Sequence, residues 1–105
     1  MNVMNIEHKE QLTRFQDTSG RAISVRLVAA RHAAGFPQQK AFAEALGLKQ
    51  TTYNTQEIKG SPSFEVMRYL ARNHRIDFNF IIHGDFVQLP SDVQTALFAA
   101  LPSPD

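Results

Sequence analysis

The sequence predicts an all-α fold. Apolar residues recur at the three-and-four spacing of helices in successive segments, and each segment is bounded by Gly, Pro or a capping Ser or Asp. No segment alternates with the period of two that a half-buried strand requires. At 105 residues and 43% hydrophobic content the chain has room for one domain with a core of its own, and it is too apolar to be disordered.

The elements follow in order. Residues 1–19 form a polar N-terminal arm in which Ile6, Leu12 and Phe15 are scattered anchors, enough for one short helix. Asp17-Thr18-Ser19-Gly20 is a turn and cap, after which Ile23, Leu27, Ala30 and Ala34 place a helix over Gly20 to Ala34. Gly35-Phe36-Pro37 ends it, because Pro cannot continue a helix and Gly suits its C-terminal cap. A helix over Gln38 to Leu46 turns Phe42, Ala43 and Leu46 inward and breaks at Gly47. The next covers Gln50 to Ile58 with Tyr53 inward, and Lys59-Gly60-Ser61-Pro62 stops it. Ser63 caps a helix carrying Phe64, Met67, Leu70 and Ala71 on one face. Asp77 caps a short helix with Phe78, Ile81 and Ile82 that closes at Gly84. A last helix opens at Pro90-Ser91 and stops at Pro102.

The net charge is only +1, but it is unevenly placed. Between Gly20 and Gly60 six basic side chains (Arg21, Arg26, Arg31, Lys40, Lys49, Lys59) face only Glu44 and Glu57, whereas the chain from Asp85 onward carries three Asp and no base. A positive middle between acidic ends suits a phosphate-facing surface and equally a solvated mixed-charge one.

Arg26 to Asp85 resembles the Cro/phage-repressor-type, or XRE-like, helix-turn-helix family. The resemblance lies in the order RLVAAR (26–31), Gly35, Gln39, Phe42-Ala43, Leu46-Gly47, TTYNTQE (51–57), Pro62-Ser63 and FNFIIHG (78–84). It implies a five-helix lambda-repressor-like helix-turn-helix domain over residues 20–84, followed by an additional C-terminal helix and tail over 85–105. The spacing is also sensible on its own: two helices crossing steeply need a tight turn, supplied by Gly47, and a small residue at their close approach, supplied by Ala43. Three features depart from the family pattern. One residue is inserted between Gly35 and Gln39, at Pro37, and another near Lys59-Gly60. Asn73-His74-Arg75 also stands where an apolar-Gly pair is usual, so that Arg75 takes the place of a left-handed Gly.

By the resemblance, bases are read from the helix over Gln50 to Ile58 by Gln50, Thr51 and Thr55, with Asn54 as neighbour. Gln offers an amide suited to adenine, and Thr a hydroxyl or a methyl contact to thymine. Gln39 falls on a phosphate-contacting position; Lys49 and Lys59 are further phosphate candidates. Arg21 and Arg26 are candidates for the same role or for plain solvated positions. No Arg lies between residues 49 and 58, so the commonest contact to guanine is missing there and a bias to A·T pairs is expected, Lys49 alone being able to reach guanine. Arg31 and Glu57 match a family pair that fixes the reading helix against the first. In the last helix Val93, Leu97 and Leu101, with Ala96, Ala100 and Phe98 beside them, form an apolar stripe that needs a cover. A homodimer interface is the favoured reading, and docking on the chain's own domain the other.

No catalytic or metal site is expected. His8, His32, His74 and His83 lack ligand spacing, there is no Cys, and no phosphate loop or nucleophile elbow occurs. Without a membrane-length apolar run or the apolar core of a secretion signal, a cytoplasmic, nucleoid-associated location is expected. No cofactor is called for. The expected partners are double-stranded DNA and a second copy of the chain, with a regulatory protein as a further candidate. The expected function is that of a repressor or autoregulator acting as a homodimer on an inverted repeat. The alternative is a protein-interaction module of the same fold, an antitoxin or antiactivator that masks a partner.

Overall fold

Seven α-helices and no strand make up residues 4–104, the part of the chain that the computed structural model describes. They are α1 (Ile6–Thr13), α2 (Gly20–Ala33), α3 (Gln39–Leu46), α4 (Gln50–Lys59), α5 (Phe64–His74), α6 (Phe78–His83) and α7 (Ser91–Ala100). Among these residues no helix is long and apolar enough to cross a membrane.

Helix α2 is the spine, packing against α4, α6 and α7, while α3 lies against α4 and α5. It starts where the Ser19 hydroxyl accepts the amide of Ala22, with Ser19 itself held by the Asp17 carboxylate. Its inner face alternates large Leu27 and Ile23 with Ala22, Ala29 and Ala30, all buried, and these small residues let the neighbouring helices come close. At the N-terminal end of α2 the approach is backbone on backbone. Gly60, the left-handed cap of α4 at φ 66°, sits so near Gly20 that a Cβ on it would lie 1.8 Å from the Gly20 carbonyl oxygen. A side chain there is excluded both by conformation and by space.

Arg26 is neither a phosphate ligand nor a solvated charge. It is fully buried on α2, and all of its donors end on backbone carbonyls. Its Nε donates to Ile81, Nη1 to Thr13 and Arg14, and Nη2 to Asp17 and Ile82, at 2.6 to 3.0 Å. These carbonyls belong to the ends of α1 and α6 and the turn after α1, so one cation satisfies two helix C-termini and ties both helices to α2. Burial pulls its pKa down to about 10, which leaves it charged at neutral pH. Gly84, at φ 79°, passes over the same cluster with room for no side chain.

The stripe Val93, Leu97 and Leu101 is corrected as well. All three side chains are buried in the core of this chain, where α7 packs along α2, and they are not presented to a second copy. Phe86 and Leu89, in the link before α7, are buried with them. Leu12 and Thr13 of α1 are buried too, so residues from both flanking segments pack with the central helices. On α5 the buried positions are Val66 and Leu70. Phe64, placed by its spacing on one face with Leu70, is 61% exposed with its ring edge-on to Phe78. His74 is half-buried between Phe36 and Tyr69, and burial lowers its pKa. Arg75 does adopt the left-handed cap at φ 58°.

Two outcomes are expected. Arg26→Met takes the donor from five carbonyls, of which only Arg14 keeps another in the Asp17 amide, and is expected to cost at least about 3 kcal/mol, with Arg26→Lys between it and the wild type because an ammonium has only three donors. Urea denaturation measures this, and equal stability of the two variants would contradict it. Leu97→Glu buries a charge in the monomer core and is expected to unfold the chain, read by circular dichroism. A folded variant with altered sedimentation would return the stripe to an interface role.

Candidate nucleic-acid interface

Helices α3 and α4 are joined by Gly47, Leu48 and Lys49, and this link is fixed from inside. Gly47 caps α3, and the Leu48 amide donates back to the Ala43 carbonyl at 2.9 Å. Phe42 and Ala43 of α3 and Tyr53 of α4 are buried, with the Phe42 and Tyr53 rings edge to face at 5.0 Å. That packing leaves the opposite face of α4 to solvent. Gln50, Thr51 and Thr55 are exposed there. Thr55 spends its hydroxyl proton on the Thr51 carbonyl, so outward it offers only an acceptor and a methyl. Asn54 is half-buried beside them. Lys49 is exposed at the N-terminal end of α4, and Lys59 is exposed at the other end, about 15 Å away along the axis.

The two helices begin alike. At the starts of α1, α2, α5 and α6 a side chain of Asn5, Ser19, Ser63 or Asp77 accepts a backbone amide. At the starts of α3, α4 and α7 no side chain does so, but α7 carries Asp92 in its first turn, whereas those of α3 and α4 contain no acidic residue. The free N–H groups and the positive ends of both helix dipoles are thus left uncompensated.

Behind this face lies a network centred on Glu57. Arg31 Nε reaches Glu57 Oε2 at 2.9 Å with both side chains buried, Arg31 Nη2 reaches Oε1 at 3.4 Å, and Arg31 Nη1 holds the Phe36 carbonyl. Tyr53 donates its hydroxyl to Oε2 at 2.6 Å, and Gln39 donates Nε2 to Oε1 at 2.9 Å. Burial by itself would raise the Glu57 pKa. The hydrogen bonds from Arg31, Tyr53 and Gln39 outweigh it, and the carboxyl is held below its usual value. Burial, then the bond to Glu57, raises Tyr53, which keeps its proton.

The structure thus brings Arg31 and Glu57 together and adds Tyr53 and Gln39 to them. It alters the role of Gln39. Both of its amide hydrogens are committed internally, to Glu57 and, at 2.9 Å, to Asn54 Oδ1. Its remaining oxygen only accepts, so its side chain does not donate to a phosphate in this arrangement. Sequence reasoning also missed Ile58, 68% exposed and one turn beyond Thr55 on the outer face of α4. Among the described residues no group of three or more His, Cys, Asp or Glu gathers to hold a metal. No family model, curated protein or solved structure matches this chain.

The network sets a double-mutant outcome. Arg31→Ala and Glu57→Ala are each expected to cost about 3–5 kcal/mol, and the double mutant less than their sum. Because the folded Glu57 pKa is depressed, its contribution is complete above the ordinary carboxylate value of about 4.3 and is lost as pH falls through the lower folded value. Glu57→Gln should therefore flatten the acid limb of the stability profile. Additive costs and an unchanged limb in thermal melts would mean that the charges do not interact.

Proposed function

We propose that the chain is a sequence-specific DNA-binding transcriptional regulator, a repressor or autoregulator, with α2 to α6 as a lambda-repressor-like helix-turn-helix domain flanked by α1 and α7. The observation that carries this reading is the pair of uncapped, acid-free N-termini of α3 and α4 beside an exposed polar face braced from behind. An anion is the natural complement of free amides at a helix start. Two such starts, on helices joined end to start by a three-residue link, suit two phosphates flanking a groove, with Lys49 at the start of α4. Gln39 then serves through its backbone amide at the first turn of α3. Gln50, Thr51, Asn54 and Thr55 supply base-edge groups, and Ile58 and the Thr55 methyl offer apolar contacts to thymine.

A single domain of this size covers few base pairs, so the reading includes a homodimer on an inverted repeat with half-sites about 34–36 Å apart. With the α7 stripe buried in the monomer, the contact belongs elsewhere. The exposed Phe64 ring against Phe78 is one apolar surface on offer.

Gel retardation at two salt concentrations tests the reading. Lys49→Ala is expected to weaken all DNA alike and to lower the salt slope by about one unit. Gln50→Ala is expected to cost about 1–3 kcal/mol at the selected site and little on random DNA. Absence of any salt-dependent retardation would overturn the proposal.

A further inference from the structure

The hydrogen bonds behind α4 have a direction, and it reaches the surface at Asn54. Glu57, ionised and buried against Arg31 and Tyr53, has only acceptors. Gln39 stands 2.9 Å from Oε1, where its carbonyl would set oxygen against oxygen, so only its NH2 group can face Glu57. The second hydrogen of that same nitrogen lies on Asn54, 2.9 Å from Oδ1. Asn54 must therefore turn its oxygen inward to Gln39. Its Nδ2 has no partner among the described residues and is not sealed from solvent. A surface amide is ordinarily free to show either atom. This one is held in a single orientation, as a donor.

We infer that Asn54 is a donor-only reader of the major groove, with its orientation set by Gln39 and Glu57, and that the base it meets is guanine. This rests on the DNA-binding reading of α4. Guanine presents two adjacent acceptors, N7 and O6, to the two hydrogens of Nδ2; thymine presents one, O4. Adenine pairs its N7 acceptor with an N6 donor and needs the amide oxygen and nitrogen turned outward together, which the bond from Gln39 prevents. Cytosine presents only a donor. The Arg-free helix thus has a guanine reader after all, and Gln39 is a positioning residue for specificity that need not touch the base.

Selection of bound sites from random duplex DNA tests this with the wild type, Asn54→Ala, Asn54→Asp and Gln39→Met, each first shown by circular dichroism to be folded. The wild type should enrich guanine over adenine about tenfold at one position of each half-site, a preference that Asn54→Ala erases at that position alone. Asn54→Asp keeps an oxygen for Gln39 but presents an acceptor outward, and should move the preference to cytosine. Gln39→Met frees the amide to turn and should admit adenine there. Adenine enriched by the wild type at the position that Asn54→Ala erases would overturn the inference while leaving DNA binding intact. So would an Asn54→Ala pool identical to the wild type, which would place Asn54 on a phosphate or on nothing. No enriched motif with any variant would overturn the DNA-binding reading itself.

Discussion

One buried carboxylate, Glu57, holds together the parts of the molecule that matter to its outer face. It is where α2, through Arg31, meets α4, and where α3, through Gln39, meets both. Removing two charges from water is costly, and a buried pair is rarely a net source of stability. Here the lone pairs of the carboxylate are filled by Arg31, Tyr53 and Gln39, so the penalty is offset, and what the arrangement confers is geometry. A hydrophobic substitute of the same volume could hold the helices in place. It would not dictate which way the amides of Gln39 and Asn54 point.

The second guanidinium of α2 works differently. Arg26 lies five residues before Arg31 and meets no carboxylate within salt-bridge distance; its partners are five carbonyls. Those carbonyls lie at the negative ends of α1 and α6 and in the turn after α1, so its charge is spread over partial charges that, Arg14 apart, have no other donor. Arg31 orders the side of the spine that carries α3 and α4, and Arg26 orders the side that carries α1 and α6. With those ends satisfied internally, the starts of α3 and α4, which have neither a side-chain cap nor the first-turn acid of the uncapped α7, stand out as groups left to solvent. A cap on either would add about 1 kcal/mol of stability and would occupy the amides that an anion needs.

How much of this was legible in the sequence depended on whether a pattern names its partner. Helix boundaries were plain, because Ser19, Ser63 and Asp77 cap and Gly47, Gly60 and Gly84 stop for local reasons. The stripe Val93, Leu97 and Leu101 was equally plain as a stripe, but an amphipathic helix says only that something covers it, and here that is α2. Arg26 was misjudged from its charge. The signal available was its setting: Ala22 and Ala30 flank it four residues to either side, on the face that also carries Leu27, where space for a long side chain is left by small neighbours. Phe64 misled in the opposite way, since a first-turn aromatic lies at the rim of α5, beyond the reach of the core formed by Val66 and Leu70. The bond between Gln39 and Asn54 joins residues fifteen apart on different helices, and no local pattern encodes it.

The loop between Gly35 and Gln39 is built into the same network. There the chain folds back so that the Phe36 amide donates to the Arg31 carbonyl while Arg31 Nη1 holds the Phe36 carbonyl in return. The Phe36 ring then covers Phe42, at 5.3 Å between centroids, and closes one side of the core under α3. The Phe36 carbonyl is thus a second partner for the guanidinium that orients Glu57. Arg75 is a contrasting case. Its left-handed backbone is strained for a residue with a Cβ, and its ion pair with Asp92 is largely exposed and worth little. What holds it is the following residue: the Ile76 amide returns to the Leu70 carbonyl and the Ile76 side chain is fully buried, so the turn is dictated by the core on either side and not by Arg75 itself.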